Sequence, residues 1–276
     1  MRRSILPLLL AVIAVVALAA ARPRASSFDH DYTAYSKILH DYVHAARVDY
    51  TALRSGRAAL DQAVTAFAEP AADEERGWTR DQRLAYWINA YNLFTLRAIV
   101  DHYPIRSSVF TLQPHNSIRQ IDGVWTKLTW RAAGRTLTLD DIEHRILRPE
   151  FKEPRVHFAV NCASVGCPPL AAEPYRAAVL DTQLDAAARR YLANDRGLTI
   201  DGTTLRVTKI LEWYGEDFVA RFAPDAAGKP DRIERAVRGV VARFGPPAAA
   251  DLAGKPATRI RFLDYDWSLN DVAVPR

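Results

Sequence analysis

The sequence feature that most constrains the fold is a long run from Asp81 to His102, which has the pattern of a helix but no polar side. On such a helix Trp87, Ile88 and Leu93 point in different directions. A helix that is apolar all round is stable only inside a hydrophobic core. We therefore expect the rest of the chain to pack around this segment, and 276 residues suffice to bury it.

Two asparagines interrupt this apolar run. Asn89 and Asn92 are three residues apart and share a stripe with Leu96 and Ile99, so both are predicted to be buried. A buried amide without a hydrogen-bond partner costs about 1–3 kcal/mol. One interpretation is that the two amides tie a neighbouring loop to the helix. The other is that one of them orients a catalytic imidazole or donates a hydrogen bond to an oxyanion.

Antiparallel hairpins are predicted around the helix, because Asp-Gly pairs favour two-residue turns. They are Ser117–Trp130, turning at Asp122-Gly123, and Leu198–Val207, turning at Asp201-Gly202. Arg259–Asn270 is predicted to be a final strand, after a surface connection over 246–254. Helices and hairpins interleave without a linker, which predicts an α+β fold. We expect one domain over residues 28–272, in which the buried central helix packs with antiparallel hairpins and a short mixed sheet.

Both cysteines of the chain lie in the stretch Arg155–Leu170. Its first half is apolar and is predicted to be a buried strand. Further along, Pro168-Pro169 has no backbone N–H to donate to a neighbouring strand, and it also excludes a helix at this point. Cys162 is therefore expected where a rigid element ends and a constrained loop begins, which is a common place for functional groups.

A short helix, Asp140 to Arg148, is predicted just before this stretch and is closed by Pro149. Asp140 has the position of an N-cap and Glu143 that of its capping-box partner. Glu143 also lies beside Ile146 on the apolar side, so it is expected to face inward, with His144 next to it.

The N-terminus has the order of a secretory signal: Arg2-Arg3, an uncharged apolar run from Ile5 to Ala21, and small residues at its end. We expect residues 1–21 to be a signal peptide and the protein to be periplasmic or secreted. A membrane contact is expected only through this segment, if it stays uncleaved. The net charge of +5 comes without a basic run, so no nucleic-acid partner is predicted.

Five motifs of the chain resemble one family. They are Tyr86–Asn92, Leu139–His144, Arg155–Cys162 with Cys167-Pro168-Pro169, Trp213–Phe218 and Tyr265–Asn270. Together, in this order, they resemble the domain-of-unknown-function-547 family over roughly Asp81 to Asn270. The resemblance implies a shared fold and places Asn89, Asn92, Glu143, His144, His157 and Cys162 in the family pattern. It implies no activity.

The first functional hypothesis is a cysteine nucleophile at Cys162. A thiolate needs a base and the base needs an orienting group. His144 is the preferred base, and Glu143, Asn89 or Asn92 are the candidates to orient it. His157 is less suitable, since on a regular strand it would face away from Cys162. The predicted reaction is acyl transfer or hydrolysis of an amide or thioester, as in papain-like or transglutaminase-like enzymes, on an unidentified small molecule or peptide.

Three other interpretations stay open. Cys162 and Cys167 are close enough in sequence for a disulfide, either structural or reactive toward partner thiols. With His144 and His157 they have the ligand types of a zinc or copper site, although the spacing is unlike known metal motifs. The third is a non-catalytic binding domain with Trp213, Tyr214 and Trp267 lining a groove. No metal and no cofactor is predicted.

Overall fold

The computed structural model describes residues 28–106, 114 and 116–273. The predicted signal peptide, residues 1–21, lies outside them. Within the described part of the chain, no helix is long and apolar enough to span a membrane.

Ten α-helices and seven short strands make up the regular structure of the described residues. The α-helices are α1 Thr33–Tyr42, α2 Tyr50–Ser55, α3 Arg57–Ala68, α4 Ala72–Gly77, α5 Arg80–His102, α6 Leu180–Leu192, α7 Ile210–Trp213, α8 Gly215–Phe222, α9 Arg232–Phe244 and α10 Pro247–Ala253. The strands are β1 Val43–His44, β2 Arg47–Val48, β3 Trp130–Ala132, β4 Arg135–Leu137, β5 Leu198–Asp201, β6 Thr204–Val207 and β7 Arg259–Phe262. A helix of π type spans Asp141–Phe151, and a 3-10 helix spans Pro154–Phe158.

Helix α5 is the buried central helix that the sequence predicts. It begins at a capping box, in which Thr79 and Gln82 satisfy each other's backbone amides. Its middle is buried on every side, and Trp87 and Phe94 are fully enclosed. The hydrophobic core therefore surrounds this helix instead of lying on one face of it.

The strands form hairpins and one mixed sheet, which confirms the α+β class. β3 and β4 pair through the turn at Ala133-Gly134, where both residues have positive φ. β5 and β6 pair in antiparallel fashion, and β7 joins β6 in parallel, with Leu205 opposite Ile260. Parallel pairing needs a long crossover, and the intervening helices α7 to α10 supply it.

Two hydrophobic clusters meet at the segment that carries the cysteines. The first surrounds α5, and the second is formed by α6, α8, α9 and the mixed sheet. Val156 and Ala159 belong to the first cluster, whereas Phe158 lies in the second. Residues 154–160 are therefore anchored on both sides, immediately before Cys162.

The predicted strand over residues 155–160 is wrong, because the segment is the 3-10 helix Pro154–Phe158. Pro154 occupies its first position, where a fixed φ suits a helix start. The Glu153 carboxylate accepts a hydrogen bond from the Arg155 backbone amide and closes the N-terminus. An apolar run cannot by itself distinguish a strand from a buried helical turn.

Three further expectations about local structure are corrected. Residues 117–130 do not form a hairpin: Ile118–Gln120 is a 3-10 helix, and consecutive local hydrogen bonds use up the backbone donors that a ladder would need. The last strand covers only Arg259–Phe262 of the predicted Arg259–Asn270. The connection over 246–254 contains helix α10, which buries Ala249 and Ala253.

The start of the π-helix also differs from the prediction. Its cap is formed by Thr138 and Asp141, whose side chains accept from each other's backbone amides. Asp140 makes no such bond. Glu143 therefore has no capping role, and the helix continues through Pro149 to Phe151. Helices of π type are rare and are frequently found at functional sites.

Candidate functional site

A cavity of about 350 Å³ opens between the two hydrophobic clusters. Its walls are contributed by α5, the π-helix, the cysteine segment, α7 and the residues after β7. The lining residues are Tyr91, Arg119, Trp125, Asp140, Glu143, His144, His157, Val160, Cys162, Cys167, Ile210, Trp213, Tyr214, Tyr265 and Trp267. We call this cavity the aromatic cleft. It holds Cys162, His144, His157 and Glu143, four of the six site residues predicted from the sequence.

Cys162 and Cys167 form a disulfide, with their Cα atoms 6.2 Å apart. Both residues line the aromatic cleft. Cys162 is half-buried, whereas Cys167 is only 6% exposed. A compound in the cleft therefore meets the Cys162 sulfur more readily than that of Cys167.

The two sulfurs have polar neighbours. The Cys167 Sγ accepts hydrogen bonds from the Cys162 backbone amide at 2.9 Å and from the Tyr265 hydroxyl at 3.0 Å. The Tyr265 hydroxyl is also 3.2 Å from the Cys162 Sγ and accepts from Ser164 Oγ at 3.0 Å. Burial raises the pKa of Tyr265, so its phenol stays protonated and acts as a donor. Neither imidazole of the cleft is among the hydrogen-bond partners of these described sulfurs.

The cysteine loop is held by buried amides. Asn92 on α5 donates to the Ala159 carbonyl at 3.0 Å and accepts from the Asn161 amide at 2.8 Å. Asn161 in turn binds the Ala163 amide and the Pro168 carbonyl, at the two ends of the loop. Ala163 has a positive φ of 58°, which the surrounding hydrogen bonds must maintain.

The C-terminal segment closes the other side of this loop. Val165 and Gly166 donate backbone hydrogen bonds to the carbonyls of Ser268 and Asp266, both at 2.8 Å. A Cβ atom at Gly166 would lie 2.9 Å from the Asp266 nitrogen, so only glycine fits this approach. These bonds also bring Tyr265 to the sulfurs, although it lies about a hundred residues further along the chain.

Asn89 has a different partner. Its amide donates to the Tyr175 carbonyl at 2.8 Å, and its oxygen accepts from the Tyr175 backbone amide at 2.9 Å. It therefore ties the loop before α6 to the central helix, as the first interpretation predicts. Asn89 does not line the aromatic cleft.

His157 and Asp217 form an imidazole–carboxylate pair at 2.8 Å. The ring of His157 stacks on Tyr214, with centroids 4.0 Å apart. Arg148 holds the same carboxylate through two nitrogens, at 2.6 and 3.0 Å. Burial opposes the charge on Asp217, but the hydrogen bonds from His157 and Arg148 outweigh it and lower its pKa. His157 faces the cleft because its segment is helical, so the strand argument against it does not apply.

His144 lies at the edge of the cleft, half-exposed. Its Nδ1 is 2.9 Å from an Arg148 nitrogen, and its Nε2 is 3.8 Å from the Asp140 carboxylate. The structure therefore places the preferred base among charged neighbours on its own helix and gives it no contact with Cys162. The shorter imidazole–carboxylate distance is that of His157, at 2.8 Å from Asp217.

Glu143 lies deeper in the cleft and is 6% exposed. The hydroxyls of Tyr91 and Tyr214 adjoin its carboxylate. Burial, and then the negative charge of Glu143, raise the pKa of Tyr214. The same two causes raise that of Tyr91.

Aromatic rings form the outer wall. Trp213, Tyr265 and Trp267 contact one another with centroids 4.5 to 5.9 Å apart. The Arg119 guanidinium lies 4.8 Å from the centre of the Trp267 ring. Trp213, Tyr214 and Trp267, which the hypothesis of a non-catalytic binding domain places along a groove, all line the cleft, together with Trp125.

Sequence reasoning did not single out Asp217 and Tyr265. Both lie within short aromatic and acidic motifs, Trp213–Phe218 and Tyr265–Asn270, and these motifs were the available signal. Neither motif indicates which residue reaches the cysteines. That depends on the crossover to β7 and on the chain folding back past Gly166.

The described residues contain no group of three or more His, Cys, Asp and Glu side chains arranged to hold a metal ion. In the oxidised form both cysteine sulfurs are also committed to each other. The aromatic cleft therefore offers hydrogen-bonding, charged and aromatic groups around a disulfide.

Fold and site together define an α+β domain with a disulfide in the wall of an aromatic cleft. Residues 75–192 match the family model described as "Protein of unknown function, DUF547". This span includes α5, the π-helix and both cysteines, and it ends before Asp217 and Tyr265. Comparison with curated proteins gave no match, and comparison with solved structures gave none either.

Proposed function

We propose that this protein carries out thiol–disulfide exchange at the Cys162–Cys167 pair, with a thiol compound bound in the aromatic cleft. The observation that carries the proposal is the pair of hydrogen bonds to the Cys167 Sγ, from the Cys162 amide and the Tyr265 hydroxyl. Such donors stabilise a thiolate, and a thiol of lowered pKa is the better leaving group.

The first step is attack by a substrate thiolate on the half-buried Cys162 Sγ. The new sulfur–sulfur bond forms as the Cys162–Cys167 bond breaks, and the electron pair goes to Cys167. Cys167 leaves as a thiolate, which accepts from the Cys162 amide and from Tyr265. Ser164 donates to the Tyr265 oxygen and leaves the phenol proton free for the sulfur.

The second step resolves the mixed disulfide. A second substrate thiolate attacks the substrate sulfur, which releases the substrate disulfide and leaves Cys162 reduced. The substrate is oxidised and the protein gains two thiols. The reverse sequence transfers electrons from the protein to a substrate disulfide.

The surroundings of the disulfide support a reactive role over a purely structural one. Its two sulfurs border a cavity of about 350 Å³, whereas a structural bridge needs no access to a cavity. The loop it closes is short, so its contribution to stability is small compared with about 3 kcal/mol for a fifteen-residue loop.

The test is the reactivity of the folded protein. Mild reductant should expose two titratable thiols without denaturant. Cys167→Ser, treated with a small disulfide, should form a mixed disulfide at Cys162 that intact-mass measurement detects. Cys162→Ser should react at least several-fold more slowly, because the remaining thiol is buried. Thiols that appear only in denaturant would instead assign the bridge a structural role.

A second candidate is acyl transfer or hydrolysis by a reduced Cys162 as nucleophile. The His157–Asp217 pair favours it, since an oriented imidazole shares the cleft with this sulfur. After reduction, a thioester probe should acylate Cys162 in the wild type and much more slowly in His157→Asn. His144→Asn serves as a matched control for the other imidazole. Exchange activity without acylation would leave the first proposal alone.

We also propose that the protein is exported, since disulfides persist in oxidising compartments. The apolar segment Ile5–Ala21 supports this proposal. Expression in a bacterium with the full N-terminus should give a periplasmic protein cleaved after Ala19 or Ala21. A full-length chain retained in the cytoplasm would contradict export without affecting the exchange chemistry.

A further inference from the structure

The chemistry proposed above makes no use of Glu143, although its carboxylate is buried at the inner end of the aromatic cleft. No Lys, Arg or His among the described residues forms an ion pair with it. Arg145 pairs with Asp141. Arg148, whose charge also acts on Glu143, is held in two bonds by Asp217.

Burying a carboxylate is costly unless a cation faces it or several donors bind it. The hydroxyls of Tyr91 and Tyr214 bind the Glu143 carboxylate, but neither carries a positive charge. A ligand entering the cleft can supply that charge.

The rings around Glu143 also suit a cation. Tyr91 and Tyr214 adjoin the carboxylate, and Trp125, which contacts Tyr91, also lines the cleft. Aromatic faces attract ammonium groups, and desolvation strengthens that attraction. A carboxylate set among several rings is a recognised arrangement for binding alkylated or primary amines.

The other charged groups at this end leave room for a further positive charge. Asp140 is half-exposed and adds negative charge, and burial raises its pKa. His144 lies between Asp140 and Arg148 at the edge. His157 stacks on Tyr214 and is paired with Asp217. Arg119, which stacks on Trp267, is at the outer wall and not at this end.

The inner end is also close to the sulfurs. The Glu143 charge acts on Tyr265, where it adds to the effect of burial in raising the pKa. The Tyr265 hydroxyl lies 3.2 Å from the Cys162 Sγ and 3.0 Å from the Cys167 Sγ. A small molecule can therefore reach both Glu143 and the disulfide.

We infer that the inner end of the aromatic cleft is a subsite for an alkylammonium group, with Glu143 as its counter-ion. Resting on the proposed function, the inference also identifies the substrate as an aminothiol, whose ammonium group binds Glu143 while its thiolate approaches Cys162.

The subsite is tested without any thiol chemistry. Phenethylamine and its neutral counterpart phenylethanol are titrated into the oxidised wild-type protein, with tryptophan fluorescence as the readout. The amine should bind about tenfold more tightly than the alcohol, as a charge-assisted hydrogen bond provides. Glu143→Gln should abolish this preference at unchanged circular dichroism. Asp140→Asn, the matched change at the exposed edge, should keep most of it.

Equal binding of amine and alcohol to the wild type, or absence of binding by either, would overturn the subsite. So would a preference that survives in Glu143→Gln.

The identity of the substrate is tested by rates of disulfide reduction. Cysteamine and aminobutanethiol are compared with mercaptoethanol and mercaptobutanol at one pH. The ratio of the amine to the alcohol rate should be several-fold higher in the wild type than in Glu143→Gln. Dividing the wild-type ratio by the Glu143→Gln ratio cancels the intrinsic reactivity of each thiol. Equal ratios would refute the aminothiol, whereas no reduction by any thiol would refute the exchange function and leave the amine titration to decide the subsite.

Discussion

At the scale of single residues, Tyr265 links the two sulfurs of the cleft. Its hydroxyl contacts both Cys162 and Cys167 and receives a hydrogen bond from Ser164. A phenol whose pKa is raised by burial remains a hydrogen-bond donor throughout the neutral range. Its effect on sulfur chemistry should therefore be separable from its contribution to packing.

Tyr265→Phe should slow reduction of the disulfide by about tenfold, because the Cys167 thiolate loses one of its two donors while it forms. The measurement is the rate at which thiols appear under a fixed concentration of reductant. Tyr191→Phe is the matched control, since its hydroxyl binds the Gly166 carbonyl and Thr208 in the same region but no sulfur. Equal rates in the two variants would remove Tyr265 from the chemistry.

Asn89 and Asn92 provide a second matched pair. Each spans a backbone donor and a backbone acceptor from a buried position on α5. Replacing either with alanine should lower the free energy of unfolding by about 2–4 kcal/mol, because two buried backbone groups lose their partners. Urea denaturation measures this loss.

Only one of these two changes should alter the chemistry. Asn92→Ala releases the segment that leads into Cys162, so the rate of disulfide reduction should change. Asn89→Ala releases the loop at Tyr175, which does not line the aromatic cleft, and should leave that rate near the wild-type value. If the disulfide were reduced at the same rate in both variants, the hydrogen bonds of Asn92 would have no specific influence on the cysteine loop.

The role of a residue could be predicted from the sequence where its type is unusual for the segment around it. Two amides on an apolar helix signal buried hydrogen bonds, and both cysteines stand where the chain must turn. Asp217 and Tyr265 do not stand out in this way, because acidic and aromatic residues are common throughout their motifs. Their importance comes from contacts between segments distant in the chain, and periodicity carries no information about these.

At the scale of elements, the His157–Asp217–Arg148 cluster joins the 3-10 helix Pro154–Phe158, α8 and the π-helix. The folded protein lowers the pKa of Asp217 below its ordinary value of 3.8. A depressed carboxyl pKa stabilises the fold above the unfolded pKa, and this contribution is lost as the pH falls below it. The cluster should therefore contribute to stability at neutral pH and lose that contribution in acid.

Asp217→Asn should accordingly lower the free energy of unfolding at neutral pH by about 2 kcal/mol, as expected for lost bonds to a charged group. The difference from the wild type should shrink below about pH 4, where the unfolded carboxyl is protonated. Unfolding curves at both pH values give the comparison. Asp122→Asn, at an exposed carboxyl, is the control, and a pH-independent difference for Asp217→Asn would contradict the linkage.

The elements themselves were predictable where one physical signal dominated. The all-round apolar pattern predicts α5, and the turn residues Asp201-Gly202 predict the β5–β6 hairpin. The strand predicted over residues 155–160 is wrong because a short apolar run fits a strand and a buried turn equally well. The hairpin predicted over residues 117–130 is wrong because the segment around Gly123 forms local hydrogen bonds instead of a ladder. The observed capping box of the π-helix lies two residues before the predicted one, since Thr138-Leu139-Asp140-Asp141 offers the same spacing of a cap and an acid.

At the scale of the whole molecule, the described residues contain two hydrophobic clusters that share one short segment. Phe158 is fully buried in the second cluster, while its neighbours Val156 and Ala159 pack in the first. A perturbation in either cluster should therefore be transmitted to the other. This arrangement predicts a single cooperative unfolding transition.

Phe158→Ala should cost about 3–5 kcal/mol, the usual range for deleting a buried ring. Near-ultraviolet and far-ultraviolet signals should still change together on heating. Phe94→Ala, the equivalent deletion beside α5, should lower the transition in the same way. Two separated transitions in either variant would show that the clusters unfold independently.

The aromatic cleft takes its walls from both clusters. Tyr91 and Val160 belong to the one around α5, and Ile210 and Tyr214 to the other. A compound that contacts both walls at once therefore links the two hydrophobic clusters. Because binding to the folded form alone raises its stability, any tight occupant should increase the melting temperature of the entire domain. Thermal-shift screening can therefore find natural occupants before their chemistry is known.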